Sequence, residues 1–160
     1  MRRGVLRATA TLPLAQARGE TMTTARILIV EDEHLIALGL SRRVTALGYT
    51  VVGLAASGEE AIAQAAGLQP DVVLMDIGLR GAIDGIEAAR HIRARAPIPV
   101  IYVSAFTDAP TVARAWQTAP AGYLVKPVPD HELHATLVRA LGGPSASGHG
   151  MRSRGSRPTP

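Results

Sequence analysis

The chain has 160 residues, a length that supports one domain with a substantial apolar core. It has no cysteine, which excludes disulfides, thiolate zinc sites and a cysteine nucleophile, and its apolar runs are far shorter than the ~20 residues of a transmembrane helix. The net charge is +4, but the basic excess lies in the two terminal segments. We therefore expect a cytoplasmic protein that does not enter a membrane.

The terminal segments differ in composition from the rest of the chain. Residues 1–24 carry four arginines and one glutamate, and we predict a disordered N-terminal extension, with Met22 as an alternative start of translation. Residues 142–160 carry three arginines and no acid among Gly, Ser and Pro, which predicts a disordered basic tail. Because the arginines are dispersed and no aromatics lie between them, solvated tails are favoured over direct DNA binding.

Between the tails, short apolar runs alternate with amphipathic stretches. The first run, Arg26–Val30, is a continuous aliphatic segment that predicts a buried strand. A helix is predicted over residues 34–47, and Gly48 ends it. The expected apolar face of this helix consists of Leu35, Leu38, Val44 and Leu47. A second strand follows over residues 49–55, and the sequence SGEE from Ser57 predicts a capped helix to about residue 66.

The second half of the chain repeats this alternation. Asp84 is placed as an acidic N-cap. The remaining predicted elements are strands at 71–75, 99–103 and 122–125, and helices at 84–95, 111–118 and 130–141. Five β–α units within residues 25–141 predict a doubly wound five-stranded parallel sheet with helices on both faces.

Polar residues of defined chemistry follow the predicted strands. Glu31 and Asp32 follow the first strand, and Asp76 follows the third. Ser104 follows the fourth strand, and Lys126, the only lysine among 17 basic residues, follows the fifth. Because ligands of open parallel sheets bind at the carboxyl ends of the strands, we expect these side chains to form one site.

The residue types of this expected site indicate phosphoryl chemistry. Crowded carboxylates repel each other unless a cation joins them, and an all-oxygen set favours Mg²⁺ or Mn²⁺. A carboxylate can act as the nucleophile and form an aspartyl-phosphate, and Asp76 is the central candidate. Lys126 and Ser104 would then stabilise the phosphoryl oxygens. Taken singly, each of these residues also fits an ordinary turn or helix cap.

The segments ILIVEDE, VVLMDIGLRGAIDGIEAARHI, IPVIYVSA and GYLVKP resemble the receiver domain of two-component response regulators. The resemblance covers residues 25–141 and is to the chemotaxis-regulator-like, single-domain type. It implies a flavodoxin-like (βα)5 fold with Asp76 as the phosphoacceptor. The implied metal ligands are Glu31, Asp32, Asp76 and the backbone carbonyl oxygen of Gly78.

The resemblance also implies roles for residues on the last two strands. Ser104 would be the switch residue, and Lys126 would contact the phosphoryl group. Tyr123 would be the aromatic residue that turns inward with the switch, and Pro127 would be a cis-proline. The sequence departs from the common pattern at three places: the longer loop after Asp76, Val128 in place of a frequent phenylalanine, and Glu31 in place of a frequent aspartate.

Trp116 is the only tryptophan of the chain. On the predicted helix it lies at the border of the apolar line, which indicates either a partly buried boundary residue or an anchor for a partner. The resemblance places the second possibility on the face formed by the fourth helix, fifth strand and fifth helix, and it leaves a homodimer open.

The expected function is that of a stand-alone receiver that accepts a phosphoryl group from a sensor histidine kinase or a phosphotransfer protein and acts on an unknown downstream protein. Apart from self-catalysed transfer to Asp76 and slow loss of the phosphoryl group, it would not be an enzyme. A phosphorelay intermediate or phosphate sink is the near alternative. An aspartyl-phosphate phosphatase is a different class, disfavoured because such enzymes need an acid where Gly78 stands. A nucleic-acid binder acting through the basic tails is the third.

Overall fold

The computed structural model describes residues 24–143, and the predictions for residues 1–23 and 144–160 lie outside the described residues. Five strands and five helices alternate along the chain, as the sequence predicts. They are β1 (Arg26–Val30), α1 (His34–Ala46), β2 (Thr50–Ala55), α2 (Gly58–Leu68), β3 (Val72–Met75), α3 (Gly85–Arg95), β4 (Val100–Ser104), α4 (Ala109–Trp116), β5 (Gly122–Val125) and α5 (Asp130–Ala140). Within residues 24–143, no helix combines the length and the apolar character needed to cross a membrane.

The five strands form one parallel sheet in the order β2-β1-β3-β4-β5. Successive residues of a strand point to opposite faces, so each buried strand supplies two cores. On one face, Leu28 and Val73 pack with residues of α2, α3 and α4. On the other face, Ile29 and Leu74 pack with residues of α1 and α5. Helices therefore cover both faces, and the flavodoxin-like fold is confirmed.

The helix ends follow the capping residues seen in the sequence. The Ser57 hydroxyl accepts the Glu60 amide at 3.2 Å, and the Asp84 carboxylate accepts the Glu87 amide at 2.9 Å. Gly48 follows α1 with φ of 94°, a conformation that favours glycine because it has no Cβ. These local signals fix the starts of α2 and α3 and the end of α1.

Helix α4 differs from its predicted bounds of 111–118. It begins at Ala109, because the Asp108 carboxylate accepts the Thr111 amide at 3.0 Å and Pro110 fits the first turn, where its missing N–H costs nothing. It ends at Trp116, and Ala119 beyond it has φ of 49°. The helix is therefore shifted toward the loop that follows β4.

The predicted apolar face of α1 is partly wrong. Leu35 is 83% exposed and Leu38 is 37% exposed, whereas the buried residues of this helix are Ala37, Leu40 and Val44. The buried set has the same helical spacing as the predicted one, so periodicity alone does not choose between them. The leucines instead form an exposed apolar surface on α1.

Candidate functional site

Three carboxylates meet at the carboxyl ends of β1 and β3. The two strands are neighbours with Val30 paired to Met75, and the Asp76 amide donates to the Val30 carbonyl at 2.9 Å. Glu31, Asp32 and Asp76 each offer a carboxylate oxygen, and these oxygens lie within 4.8 Å of one another. The register of two strands therefore produces the acidic cluster that the sequence predicts.

Lys126 enters this cluster from the far side of β4. Its Nζ lies 2.5 Å from Glu31 Oε2 and 3.4 Å from Asp76 Oδ2. Its backbone amide donates to the Ser104 carbonyl at 3.0 Å, which fixes the start of the side chain at the end of β5. Since β5 and β3 are separated by one strand, or about 10 Å, a long unbranched side chain is needed to reach Asp76.

The charges of the site are unevenly compensated. Burial raises the pKa of Glu31, against the lowering effect of hydrogen bonds from Lys126 and the Glu33 amide, and the nearby Asp76 carboxylate raises it further. Burial works against the charged form of Lys126, but the hydrogen bond to Glu31 and the charge of Asp76 outweigh it and raise the pKa of this ammonium. Two of the three carboxylates, those of Glu31 and Asp76, thus share one ammonium.

This donor set fits a hard divalent cation. All three side chains offer oxygen, and the Asp32 and Asp76 side chains retain 11% and 12% exposure, so solvent reaches the cluster. Mg²⁺ keeps several waters and takes one or two carboxylates, which suits a partly open site of this kind. Glu31, Asp32 and Asp76 are the residues that would hold it; the predicted contribution of the Gly78 carbonyl stays a prediction.

An arginine that sequence reasoning missed lies at the rim of the cluster. Arg80 Nε is 3.2 Å from Asp32 Oδ2, and the Arg80 side chain is 85% exposed. It belongs to the loop between β3 and α3. Glu59 of α2 also contacts this loop by accepting the Ala82 amide at 3.1 Å. Only the folded loop brings Arg80 to Asp32, so the sequence alone held no signal for this pair.

The two predicted switch residues are tied to the same loop residue. Ser104 is fully buried, and its hydroxyl oxygen accepts the Phe106 amide at 3.2 Å. The Tyr123 hydroxyl donates to the Phe106 carbonyl at 2.7 Å. Phe106 itself is 44% exposed, and a Cβ added at Gly78 would lie 3.0 Å from its ring. Phe106 thus links the loop after Asp76 with the loop before α4.

Two further predictions concern Pro127 and Trp116. The bond between Lys126 and Pro127 is cis, the geometry that the resemblance implies. Trp116 is 53% exposed, so about half of its side chain is buried, and both interpretations, as a partly buried boundary residue or as an anchor for a partner, stay predictions. Trp116 lies in the last turn of α4, next to Ala115, the only buried residue of this helix.

Comparison with known proteins identifies the family of this domain. Residues 27–138 match the family model of the response regulator receiver domain. The chain is 39% identical over 116 residues to the transcriptional regulatory protein PdtaR of Mycobacterium tuberculosis, covering 72% of this chain and 56% of that protein. It is 41% identical over 103 residues to the response regulator GacA of Pseudomonas viridiflava, covering 63% and 48%. The chain thus spans about half the length of the curated relatives it matches.

Solved structures lead to the same family. The signal receiver domain of a modulated diguanylate cyclase from Desulfovibrio desulfuricans G20 superposes with a TM-score of 0.71 at 40% identity, over 74% of this chain and 94% of that one. The chemotaxis protein CheY4 of Vibrio cholerae superposes with a TM-score of 0.67 at 28% identity, over 74% and 99%. With the family model, the relatives and the sheet order in agreement, the chain belongs to the family of response regulator receiver domains.

Proposed function

We propose that this receiver domain accepts a phosphoryl group on Asp76 in a Mg²⁺-dependent reaction. The observation that carries the proposal is the convergence of three carboxylates within 4.8 Å with one ammonium placed against two of them. A bare carboxylate cluster would serve cation binding alone. The added ammonium, on a separate strand, lies against Glu31 and Asp76 and supplies a positive charge beside Asp76, where the oxygens of a phosphoryl group need one.

The donor is proposed to be a phosphohistidine of a sensor histidine kinase or a phosphotransfer protein. An Asp76 carboxylate oxygen forms the new O–P bond, the N–P bond breaks, and the imidazole leaves with the electron pair. Bound Mg²⁺ would neutralise charge on the phosphoryl oxygens. The Lys126 ammonium, freed from Glu31, would take a phosphoryl oxygen. Asp76 is held for this attack because its Oδ1 accepts the Ile77 amide at 2.8 Å.

The exposed side of α1 is the proposed contact surface for the donor. Leu35 and Ile36 are exposed, and a groove of about 280 Å³ lies between this helix and the loop after β5. The residues that line the groove include Ile36, Gly39, Pro127 and Lys126. Because the groove leads to Lys126, an apolar helix seated on α1 would present its histidine to the carboxylate cluster.

Phosphorylation is proposed to act on protein partners through the face around α4. If the Ser104 hydroxyl turned to a phosphoryl oxygen, it would release the Phe106 amide, and the hydrogen bond from Tyr123 to the Phe106 carbonyl would have to adjust. The exposed Trp116 and Val125 are available there to a downstream protein or to a second copy of the chain. Neither an output partner nor a DNA contact is needed for Asp76 to accept the group, so service as a phosphorelay intermediate is compatible with this site.

The proposal is tested by incubating the chain with acetyl phosphate and Mg²⁺ and measuring its intact mass. We expect one phosphoryl group per chain, none after chelation of Mg²⁺, and none in Asp76→Asn. The matched control is Asp108→Asn, which keeps a competent N-cap on α4 and lies outside the carboxylate cluster. Uptake in the Asp76 variant equal to that of the control would contradict the assignment. Hydrolysis of acetyl phosphate with no build-up of the phosphorylated chain would favour an enzyme instead.

A further inference from the structure

Helix α4 has little apolar anchoring. Of its residues only Ala115 is buried, whereas α3 buries Gly85, Ile86, Ala88, Ala89 and Ile92. A segment with few buried apolar contacts opens at low free energy, so its position depends on the polar contacts it makes. The question is which contacts hold α4 against the domain.

The segment after α4 is held by β4 and α3. The Tyr102 hydroxyl lies 2.8 Å from Thr118 Oγ1, and Arg93 Nη1 donates to the Thr118 carbonyl at 2.6 Å and to the Ala119 carbonyl. These contacts fix the exit of the helix. They do not bear on the loop that carries Asp76.

A different contact joins α4 itself to that loop. Arg114 Nη2 donates to Asp84 Oδ2 at 2.9 Å, while Asp84 Oδ1 accepts the Glu87 amide at 2.9 Å. One carboxylate thus caps α3 with one oxygen and anchors α4 with the other. The side chains of Arg114 and Asp84 are 48% and 33% exposed, so the pair lies at the surface and can separate without burying a charge.

The residue after Asp84, Gly85, packs against the backbone of Asp76, the proposed phosphoacceptor. The Gly85 amide donates to the Ile77 carbonyl at 2.9 Å, and a Cβ on Gly85 would lie only 1.9 Å from the Asp76 carbonyl oxygen. The backbone of Asp76 and the first turn of α3 therefore touch directly. A displacement at Asp76 reaches Asp84 without passing through Ser104 or Tyr123.

We propose that Arg114 is a positioning residue that, through Asp84, restrains α4 in the unphosphorylated arrangement and so raises the phosphoryl occupancy needed to move it. The inference rests on the proposed function, since it assumes that Asp76 accepts a phosphoryl group. It adds a second connection from Asp76 to the surface around Trp116, separate from the one through Phe106. Breaking the pair should favour the displaced arrangement.

The test is a double-mutant cycle on the full chain in Mg²⁺, with beryllofluoride as the phosphoryl mimic and Trp116 fluorescence as the readout. Asp84→Asn keeps an N-cap but removes the charge, and Arg114→Gln removes the guanidinium. We expect each to lower the half-saturating beryllofluoride concentration about two- to fivefold, the range for one exposed ion pair, and the double variant to go no further. Arg90→Gln is the matched control and should leave the midpoint unchanged, since the ion pair of Arg90 within the described part of the chain is with Glu87 on its own helix at 3.3 Å.

Each outcome of the cycle decides a separate point. An unchanged or raised midpoint in Arg114→Gln, with a normal fluorescence response, overturns the restraint. Additive effects of the two substitutions overturn the claim that they act through each other. If the unmodified chain itself gives no response to beryllofluoride, it is the proposed function that fails. Urea unfolding of each variant separates a shift of the midpoint from loss of the folded state.

Discussion

The carboxyl edge of the sheet and helix α4 are built in opposite ways. At the edge, Glu31 is 4% exposed and Ser104 is fully buried, and both continue from strands whose residues lie in the core. Helix α4 buries only Ala115 and leaves Trp116 53% exposed. Chemistry on a phosphoryl group needs donors that stay in place, because their value depends on preorganisation. A surface that signals phosphorylation to a partner protein needs the reverse, a segment that moves at a small cost in free energy.

The two regions also differ in how their charges are balanced. The edge places three carboxylates against Lys126 and the exposed Arg80, an imbalance that a cation and a phosphoryl group together can change. Around α4 the charges are matched, as in the pair between Arg114 and Asp84. We infer that ligands act on the first region and that the second responds through contacts. The predictions below disturb one region at a time.

The largest effect on stability is expected from Gly85→Ala, which disturbs the carboxyl edge of the sheet at Asp76. The new Cβ would lie 1.9 Å from the Asp76 carbonyl oxygen, a backbone atom that cannot rotate away. We expect the free energy of unfolding to fall by about 3 kcal/mol, the upper part of the usual range for overpacking. Urea unfolding measures it.

Gly39→Ala is the matched control for this substitution. Gly39 is also helical, but apart from its own helical backbone and chain neighbours, no heavy atom of residues 24–143 lies within 4 Å of its added Cβ. Alanine there should raise the free energy of unfolding by about 0.5–1 kcal/mol, because glycine is the poorer helix former. An equal change in the free energy of unfolding for the two substitutions would show that the contact between Gly85 and Asp76 is not tight.

A smaller effect is expected from Lys126→Arg, which keeps the charge at the edge but changes its shape. The planar guanidinium cannot replace a compact ammonium 2.5 Å from Glu31, whose side chain is 3% exposed. We expect about tenfold weaker beryllofluoride binding, the loss of one charge-assisted hydrogen bond, measured by titration of Trp116 fluorescence. The reverse exchange, Arg90→Lys on α3, should leave this affinity unchanged, since Arg90 pairs with Glu87 on its own helix, outside the cluster. Unchanged affinity in Lys126→Arg would remove the ammonium from the proposed phosphoryl site.

The carboxyl edge of the sheet was predictable from the sequence for a physical reason. Buried parallel strands are continuous aliphatic runs, and the residues that follow them are brought to one edge by topology alone. Glu31, Asp32 and Asp76 therefore needed no knowledge of side-chain packing to be placed together, and Lys126 needed only the strand order. The capping residues Ser57 and Asp84 were equally readable, because a cap acts within three residues of itself.

The surface features were less predictable, because they depend on how helices sit on the sheet. The spacing of Leu35 and Leu38 indicated a buried face, but the neighbouring set that includes Ala37 and Val44 has the same period and is the buried one. Trp116 is 53% exposed in the last turn of α4, and this exposure depends on how the helix lies on the sheet. The pair between Arg114 and Asp84 joins residues 30 positions apart, and nothing local marks it.

The smallest expected effect is a pH dependence of that pair. Burial works to raise the pKa of Asp84, but the Glu87 amide and the Arg114 guanidinium outweigh it and lower the pKa below its ordinary value. The folded state therefore binds this proton less readily than the unfolded state does. The stabilisation is complete above the ordinary aspartate pKa of about 3.9 and is lost as the pH falls through the lower, folded-state value.

This sign gives a direct measurement on α4. The difference in free energy of unfolding between the unmodified chain and Asp84→Asn should be constant down to about pH 5 and shrink toward about pH 3, as followed by urea unfolding at each pH. Repeating the comparison in Arg114→Gln should leave the onset of the decline unchanged, because the unfolded-state pKa sets it, but should make the total decline smaller, because Asp84 has then lost the partner that holds its folded-state pKa down. A difference that stays constant to pH 3 in both backgrounds would mean that Asp84 acts only as a neutral cap. In that case α4 would lack the electrostatic contact to the loop that begins at Asp76.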